Sequence, residues 1–554
     1  MEGLFERTSP NPAAEAAILV GRFNRRVVCS KIKHRRVLIG FVPMNVATSI
    51  SAAPAVVRLN PADTVVVAMR RLAAGEATGL EDLVAVQAIR AGHKLASRAI
   101  RAGETVLKYG QVIGVATADI GRGEHVHDHN LSVSTLRETG LTAQAAWGRS
   151  EAPRTFRGYH RDDGRIGTRN YVGVLTSVNC SATVARFIAR EAERRGLLER
   201  YPHVDGVVPI THQSGCGMAG SGEGFDILNR TVWGTAANPN FGGVLMVGLG
   251  CEVLQLARIK GARDLADSPR FHSFTIQDAG GTRRAVEEGL ERLEDILKLA
   301  DQDRRSEAPA SALVLGLQCG GSDAWSGMTS NPALGDASDR LVALGGTVIL
   351  SETPEIYGAE HLLMARARAP EVSAKLTERL DWWARYTAMN GAEMDNNPSP
   401  GNRAGGLTTI LEKSLGAVAK SGGSPLNEVV EYAAPIHQRG LVFMDSPGFD
   451  PCSATGQVAS GATLIAFTTG RGSAFGCKPT PSIKLSSNSD LFEKMREDID
   501  VDCGAIAKGA ATIAETGEEI LDYLLEVASG RPSQSEALGY GDNEFVPWQV
   551  GAVM

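Results

Sequence analysis

Short apolar runs alternate with longer amphipathic stretches along most of the chain after residue 170. The runs occupy residues 204–210, 243–247, 313–317, 346–350, 440–444 and 464–468, and most of them lead into Gly, Ser, Thr or Cys. Between the runs lie helical stretches such as 182–195, 283–300 and 370–386. Buried strands that alternate with helices predict Rossmann-like α/β domains with mostly parallel sheets, whose ligands bind at the carboxyl ends of the strands. We place these domains at residues 154–310 and 311–554.

The part of the chain before residue 154 has a different pattern. Residues 56–133 predict a small unit of short strands, because β-rich runs such as 64–68 are separated by glycines at turn-like intervals. Residues 134–153, rich in Ala, Gly and Thr, indicate a linker. Residues 1–55 are basic and loosely resemble a signal peptide, but the apolar part starts late and is interrupted by Pro43 and Asn45. We expect a disordered extension there, or a start codon assigned too early.

Composition excludes several classes of protein. The chain has 554 residues, of which 43% are apolar and 22% charged, as in ordinary globular proteins. The net charge of −6 argues against broad nucleic-acid binding. No apolar stretch reaches the length of about 18 residues that a membrane span needs. Eight cysteines are too few for a disulfide scaffold in a chain of this length. We therefore expect a cytoplasmic protein without a membrane or nucleic-acid partner.

Four cysteines occupy one kind of position, which suggests metal chemistry. Each follows a β-like apolar run, and three of them lie in Gly-rich turns; they are Cys180, Cys216, Cys251 and Cys319. Turns at strand ends converge on one crevice in an α/β sheet, and thiolates select iron, zinc or iron–sulfur clusters. A single cysteine of this kind is more often a small buried apolar residue. Four together favour an iron site. The other four cysteines lack this pattern, and we assign them no role.

Histidines are concentrated in the small N-terminal unit. His125, His127 and His129 alternate along the chain and would project to one face of an extended segment, with His93 upstream. Such a face suits a cation or a proton relay, but an exposed polar strand edge explains it about as well. His212 lies four residues before Cys216, so that it could reach the same crevice as a catalytic group.

Several cations stand beside glycines or small polar residues, where a carboxylate could bind. These groups include Arg169, Asn402 with its neighbours, Lys413 and Arg471. Arginine presents a fork that matches a carboxylate, although most surface arginines are merely solvated. The chain has neither a GxxxxGK[ST] phosphate loop nor a convincing dinucleotide fingerprint.

The chain resembles the altronate/galactarate dehydratase family from about residue 57 to the C-terminus. The resemblance is carried by GYHRDDGRIGTRN at 158–170, GLGCE at 248–252, QCGGSD at 318–323, NPSPGN at 397–402 and TGRG at 469–472. It implies an SAF-type β-clip fold for residues 56–133. It also implies dehydration of a sugar acid to its 2-dehydro-3-deoxy acid, with dependence on iron or a similar divalent metal.

The resemblance does not choose one substrate within the family. GEHVHDHN at 123–130 and PEIYGAE at 354–360 resemble the altronate branch, whereas YPHVDGVV at 201–208 and NPNFGG at 238–243 resemble the galactarate branch. GDNEFVPWQ at 541–549 resembles the large subunit of sulfolactate sulfo-lyase, which eliminates sulfite. A non-catalytic sugar-acid-binding protein is a further alternative, but it would not need collected thiolates.

These considerations lead to a set of expected site residues. We expect proton transfer by His93 and His212, with Lys413 as the acid or as a partner of the substrate carboxylate. Residues expected to hold the substrate are Arg169, Ser322, Asp323, Asn402 and Arg471. Residues expected to hold iron, as a single ion or a cluster, are Cys180, Cys216, Cys251, Cys319, His125 and His127. We also expect a homo-oligomer.

Overall fold

The computed structural model describes residues 55–133, 147–262 and 266–553. The predicted N-terminal extension, except for residue 55, and most of the predicted linker lie outside the described residues. The described chain consists of three consecutive segments, which we call the N-terminal segment (55–133), the middle segment (155–309) and the C-terminal segment (314–553). Each segment has its own sheets.

The N-terminal segment consists of short antiparallel strands, as its apolar runs and glycine turns predict. The strands are β1 (Val56–Val57), β2 (Val65–Ala68), β3 (Lys94–Ala96), β4 (Thr105–Lys108), β5 (Gln111–Ala116), β6 (His125–Val126) and β7 (Leu131–Ser132). They form two sheets with the orders β1-β2-β3-β6 and β4-β5-β7. The pairing of β3 with β6 sets Leu95 opposite His125, which brings residues 93 and 125 close together.

The middle segment contains a four-stranded parallel sheet and a small antiparallel sheet. Its elements are β8 (Thr155–His160), β9 (Ile166–Gly167), β10 (Tyr171–Thr176), α1 (Ala182–Arg194), α2 (Leu197–Arg200), β11 (Gly206–Ile210), α3 (Glu223–Ala236), β12 (Phe241–Gly248), α4 (Leu256–Gly261), β13 (Phe271–Thr275), α5 (Thr282–Ala300) and β14 (Ser306–Pro309). The parallel sheet has the order β11-β10-β12-β13, and the antiparallel sheet the order β14-β8-β9. Strands β10 and β12 are buried along their whole length, as expected for central parallel strands covered by helices.

The C-terminal segment contains the largest sheet. Its elements are β15 (Val314–Cys319), α6 (Ser330–Ala343), β16 (Thr347–Ser351), α7 (Glu360–Met364), α8 (Pro370–Met389), α9 (Pro400–Ala404), α10 (Ile410–Ala419), β17 (Leu426–Val430), β18 (Gly440–Met444), α11 (Asp450–Ala459), β19 (Leu464–Thr469), β20 (Ser482–Ser486), α12 (Ser489–Lys494), β21 (Val501–Asp502), α13 (Gly504–Ala507), α14 (Ile513–Ala528) and α15 (Gln534–Ala537). Seven parallel strands follow the order β17-β18-β16-β15-β19-β20-β21. The described chain is thus a mixed α/β protein with one large parallel sheet.

Buried polar side chains tie the segments together. Asn238 of the middle segment donates from Nδ2 to the carbonyl oxygens of Val458 and Ala462, at 2.9 and 3.0 Å. Lys94 and Lys108 of the N-terminal segment both form ion pairs with Glu412 on α10. The side chains of all three residues are at most 1% exposed to solvent. In the part of the chain that the structure describes, no helix combines the length and the apolar character that crossing a membrane requires.

Candidate functional site

The histidines of the N-terminal segment form a compact cluster. His93 Nδ1 lies 3.0 Å from His125 Nε2, and the ring centroids of His93, His125 and His127 are 5.1–5.2 Å apart. His129 contacts His125 with a centroid distance of 5.6 Å, but it is exposed. The sequence prediction that alternate histidines share a face is consistent with this cluster.

Burial and neighbouring basic groups keep two members of this cluster, His93 and His125, neutral. Burial lowers the pKa of His93 to about 4, and the nearby His127 and Lys94 lower it further. Burial, followed by His93 and His127, lowers the pKa of His125 to about 3. Neutral rings carry one unprotonated nitrogen each, which can accept a proton or bind a metal.

The short helix α9 of the C-terminal segment lies against the histidine cluster. A capping box formed by Ser399 and Asn402 starts the helix. His127 Nε2 donates to the carbonyl oxygen of Arg403 at 3.0 Å, and Asp128 Oδ2 lies 3.7 Å from the Arg403 guanidinium. A methyl group built on Gly401 would lie 3.9 Å from Arg471 Nε. Helix α9 therefore lies between the imidazoles and the Arg471 loop.

Three predicted substrate-binding residues are engaged within the protein. Asn402 Nδ2 donates to the Ser322 carbonyl oxygen at 2.8 Å, so that both residues connect α9 to the loop after β15. The Asp323 carboxylate accepts hydrogen bonds from Ser326, Ser487 and Asn488, and it is 5% exposed. These contacts correct the expectation that Asp323 and Asn402 present free groups to a substrate, whereas Ser322 contributes only its backbone carbonyl oxygen to them. Their geometry shapes the crevice instead.

Arg471 remains available as an anion-binding group. It follows β19 in the turn 469–472 and is exposed. Its guanidinium makes no hydrogen bond or ion pair with any other described residue. An unpaired guanidinium beside a buried polar loop is suited to a carboxylate.

A second cluster of charged groups lies buried at the carboxyl ends of β15 and β16. Lys413 Nζ is 2.5 Å from Glu355 Oε1, Lys420 Nζ is 2.9 Å from Cys319 Sγ, and Lys420 Nζ is 3.9 Å from Glu352 Oε2. Cys319, Glu352 and Glu355 bring three potential metal ligands within 4.8 Å of one another. Lys413 and Lys420 lie within the same group, however, and their positive charges would repel a bound cation. The cluster is better described as a network of buried ion pairs.

Electrostatics divides this network into charged and neutral members. Burial raises the pKa of Glu352 well above its ordinary value, and the neighbouring Glu355 adds to the effect. Although burial opposes it, Lys413 and Lys420 lower the pKa of Glu355. Burial raises the pKa of Cys319 to about 12, which keeps this thiol protonated. Burial and Glu355 raise the pKa of Asp450, at the start of α11, to about 7.

Glu352 is held in an unfavourable backbone conformation. Its φ angle is +77°, a region that residues other than glycine rarely adopt. Both carboxylate oxygens are buried without a hydrogen-bond partner among the described residues. Strained and unsatisfied groups of this kind concentrate at functional sites. The loop from Cys319 to Asp323 connects this network with the Arg471 turn, since a methyl on Gly320 would meet Asp450 Oδ2 at 2.4 Å and one on Gly321 would meet Arg471 Cβ at 3.6 Å.

His212 has a structural role in this structure, which corrects the expectation of a general base. Its Nε2 donates to the Thr176 carbonyl oxygen at 3.1 Å, and its Nδ1 accepts from the Ser214 N–H at 3.2 Å. The ring is 4% exposed and packs edge-on against Phe545. With both nitrogens bonded to backbone, the imidazole has no free lone pair for a substrate proton.

Arg169 is likewise not available to a substrate. Its guanidinium forms a bidentate pair with Glu536 at 2.6 and 2.7 Å. Its remaining donors reach the carbonyl oxygens of Thr168, Val527 and Arg531. The residue links the middle segment to α14 and α15, so the predicted substrate contact at Arg169 is replaced by a structural one.

The four predicted metal-binding cysteines divide between two sheets. Cys180, Cys216 and Cys251 are exposed and follow strands of the middle segment. Cys319 ends β15 in the large sheet, where it is buried beside Lys420. The expected single site of four cysteines is therefore corrected: the structure groups three of them and separates the fourth.

Sequence reasoning missed several residues that the structure places near the candidate site. These are Arg403, Glu352, Glu355, Lys420 and Asp450. Glu352 and Glu355 follow β16 directly, and polar residues at strand ends were the signal that could have found them. Lys420 and Asp450 carried no comparable signal, because their partners lie far away in the sequence.

A separate cavity lies between the middle and C-terminal segments. It has a volume of about 650 Å³ and is lined by residues of the middle and C-terminal segments that include Trp233, Val314 and Ile436. None of the predicted site residues lines it. It opens at the amino ends of β15 and β16, whereas parallel sheets bind ligands at their carboxyl ends. The histidine cluster and the loops around α9 are therefore the better candidate site.

Comparisons with known proteins agree with the resemblance seen in the motifs. Residues 54–134 match the altronate/galactarate dehydratase SAF domain, residues 158–301 the D-galactarate dehydratase/altronate hydrolase second domain, and residues 310–553 the C-terminal D-galactarate/altronate dehydratase domain. These matches together cover most of the chain.

Individual relatives match over nearly their whole length. The chain is 38% identical to galactarate dehydratase (L-threo-forming) of Escherichia coli (strain K12), over 81% of this chain and 88% of the relative. It is 34% identical to altronate dehydratase of Bacillus subtilis (strain 168), over 86% and 95%. It is 32% identical to (2R)-sulfolactate sulfo-lyase subunit beta of Chromohalobacter salexigens, over 71% and 97%. The chain thus belongs to the galactarate/altronate dehydratase family and is a dehydratase, that is, a hydro-lyase.

Proposed function

We propose that the protein dehydrates altronate or galactarate to the corresponding 2-dehydro-3-deoxy acid. The observation that carries this proposal is the junction at α9, where the histidine cluster of the N-terminal segment and the unpaired Arg471 of the C-terminal segment both lie against one short helix. A sugar acid has a carboxylate, an acidic α-proton and a β-hydroxyl. The junction offers Arg471 for the carboxylate and an imidazole for the α-proton. Relatives named as dehydratases of these two acids cover 81% and 86% of the chain, against 71% for the sulfo-lyase subunit.

The finer fold and the domain division form part of the same proposal. We assign an SAF-type β-clip to residues 56–133, supported by the two antiparallel sheets and the family match there. Residues 154–310 and 311–554 would be two Rossmann-like catalytic domains, supported by their parallel sheets with helical connections. Residues 134–153 would join them to the β-clip.

The reaction requires a base, a carboxylate partner and stabilisation of developing charge. Arg471 would hold the substrate carboxylate, because its exposed guanidinium has no other partner among the described residues. His93 would take the α-proton, since its buried ring lies between the other histidines and the end of α9, with Gly406 against its edge. Lys413 keeps its proton, because Glu355 counteracts the burial of the ammonium and raises its pKa. It therefore contributes positive charge towards an enolate more readily than it donates a proton.

Iron is the cofactor we propose, and two sets of described residues have suitable donors. Imidazoles suit iron, and burial keeps the ring of His125 neutral within the histidine cluster. Both nitrogens of His127 are engaged, by Asp128 and by the Arg403 carbonyl. Bound iron would supply a Lewis acid that polarises oxygens of the substrate. The three exposed cysteines are the second set.

An anaerobic assay with altronate, galactarate and sulfolactate in parallel tests the proposed function. We expect formation of a 2-keto acid from altronate or galactarate and no release of sulfite from sulfolactate. Sulfite release as the dominant reaction would replace the dehydratase assignment with the sulfo-lyase one. Binding of all three acids without turnover, by iron-loaded protein, would indicate a non-catalytic sugar-acid-binding protein.

A further inference from the structure

Three exposed cysteines lie at one edge of the middle parallel sheet. Cys216 follows β11, Cys180 follows β10 and Cys251 follows β12, and these strands are neighbours in the order β11-β10-β12. Both pairings are parallel, so the three strands end at the same edge. The thiols therefore lie on adjacent loops.

Hydrogen bonds around Gly215 hold these loops together within a few residues of each cysteine. The Asn179 N–H donates to the Ser214 carbonyl oxygen at 2.9 Å, which connects the Cys180 loop to the Cys216 loop. The N–H groups of Val253 and Leu254 both donate to the Gly215 carbonyl oxygen at 3.0 Å, which connects the Cys251 loop. A methyl on Gly215 would meet the Ser177 carbonyl oxygen at 2.2 Å, so the crossing requires a glycine.

The chemistry around the three thiols is that of a soft metal site. Of the seven described cysteines, only these three are exposed, and none forms a disulfide. Glu252, next to Cys251 in the chain, accepts hydrogen bonds from Ser177 Oγ and the Gly250 N–H, each at 2.6 Å, and His212 is engaged by backbone. Gln277 Nε2 lies 3.5 Å from Cys251 Sγ. Sulfur is therefore the donor that remains for a ligand. Exposed thiols without such a role are unfavourable, since they are open to oxidation.

The three thiols are not close enough together for all of them to bind one metal ion. Two thiolates on one metal ion lie at most about 4.6 Å apart, because a metal–sulfur bond is about 2.3 Å long. Among the described residues, the one group of three donors that lie within 4.8 Å of one another is Cys319 with Glu352 and Glu355, and it contains none of these thiols. We infer that Cys180, Cys216 and Cys251 bind an iron–sulfur cluster. Cysteine thiolates are the usual ligands of such clusters, and because each thiolate binds a different iron, the thiolates can lie farther apart than on a single ion.

This inference deepens the proposed iron requirement, but its test does not depend on turnover. The full chain is purified anaerobically, reconstituted with ferrous iron and sulfide, and freed of unbound iron. We expect iron and acid-labile sulfide in near-equal, stoichiometric amounts, the broad visible absorption of an iron–sulfur cluster, and an EPR signal in one redox state. Cys180→Ser, Cys216→Ser and Cys251→Ser should each lose most of the cluster while keeping the melting temperature, since exposed thiols contribute little to packing.

Two control variants each remove a buried cysteine instead of an exposed one. They show whether losing any cysteine, or losing Cys319 in particular, affects the cluster. Cys503→Ala removes a buried thiol of the C-terminal segment, and Cys319→Ser removes the thiol beside Lys420. Both should retain the cluster and its spectrum. Iron and sulfide retained in all three exposed-cysteine variants, or iron bound without sulfide, would overturn the inference. A disulfide among the three cysteines in the anaerobically purified protein would overturn it as well. A cluster in a protein that does not dehydrate any of the three acids would support this site and reject the proposed function.

Discussion

At the scale of single residues, the role of a side chain depends on whether its polar atoms are already bonded. His93 and His212 have similar sequence contexts, each near a glycine, and burial lowers the pKa of both to about 4. His212 has both nitrogens bonded to backbone, whereas His93 Nδ1 lies 3.0 Å from the imidazole of His125 and the ring also bonds the Ala404 backbone at the end of α9. The same contrast separates Arg169, with all its donors engaged, from Arg471. Sequence alone could nominate these residues but could not sort them, because their partners lie on distant strands and loops.

The histidine pair provides the first prediction. His93→Asn should lower turnover by about 10²–10⁴-fold, the range for losing a general acid or base, with little change in melting temperature. His212→Asn should instead lower the melting temperature, because it breaks two buried hydrogen bonds, and leave turnover per folded molecule near normal. Turnover, iron content and thermal unfolding are measured on both variants. The reverse pattern would restore His212 as the base.

The arginine provides the second prediction. Arg471→Ala should lower kcat/KM by roughly 10–100-fold, mainly through a higher KM, because a charged hydrogen bond is worth about 1.5–3 kcal/mol. Folding should be unaffected, since the side chain is exposed and has no partner among the described residues. The control is Arg496→Ala, which removes an exposed arginine that pairs with Glu493 and lies over the Phe492 ring. Equal kinetics in wild type and Arg471→Ala would show that the carboxylate binds elsewhere.

At the scale of elements, the periodicity of apolar residues predicted the positions of helices and strands well. The helices expected at 182–195 and 283–300 are Ala182–Arg194 and Thr282–Ala300, and the strand expected at 464–468 is Leu464–Thr469. These elements follow from local pattern, since each buries one continuous face. Helix α9 could not be predicted in this way, because it has five residues and no apolar period. Its position depends on its cap and on contacts with the N-terminal segment and with the loop after β15.

The third prediction concerns this cap. Ser399→Ala removes the capping box of α9, and Thr512→Ala removes the same arrangement at the start of α14. Each variant should lose about 0.5–2 kcal/mol of stability, the usual effect of a lost cap. Only Ser399→Ala should also lower turnover, because α9 positions the Arg403 carbonyl and Asn402 against the site. Urea unfolding and steady-state kinetics test this, and equal turnover in the two variants would remove α9 from the functional site.

At the scale of the whole molecule, buried charges join the N-terminal and C-terminal segments. Lys94 Nζ and Lys108 Nζ lie 2.9 and 2.8 Å from the Glu412 carboxylate, and Thr408 donates to it as well. Composition predicts lysines at the surface, and the partners are about 300 residues apart, so sequence reasoning could not find this contact. One carboxylate faces two ammonium groups, which explains why burial lowers the pKa of Lys94 to about 8 while Glu412 raises that of Lys108 despite its burial.

The last prediction concerns Glu412 and the acid stability of this junction. Although burial opposes it, Lys108 and Lys94 hold the pKa of the Glu412 carboxyl far below its ordinary value. A depressed pKa stabilises the folded protein above the unfolded value of about 4.3, and this stability is lost as the pH falls towards the folded pKa. Glu412→Gln should cost about 3–5 kcal/mol at neutral pH, because it leaves two buried lysines without a counter-charge.

The stability of the variant should also depend less on pH than that of the wild type below about pH 5. Urea unfolding followed between neutral pH and about pH 3 measures both effects. The matched control is Glu493→Gln, which removes an exposed carboxylate paired with Arg496 and should change stability by no more than about 1 kcal/mol. Because Lys94 is the chain neighbour of His93, loosening this junction should also raise KM in the folded fraction. Unchanged stability and unchanged KM in Glu412→Gln would show that the two segments are held together without this ion-pair group.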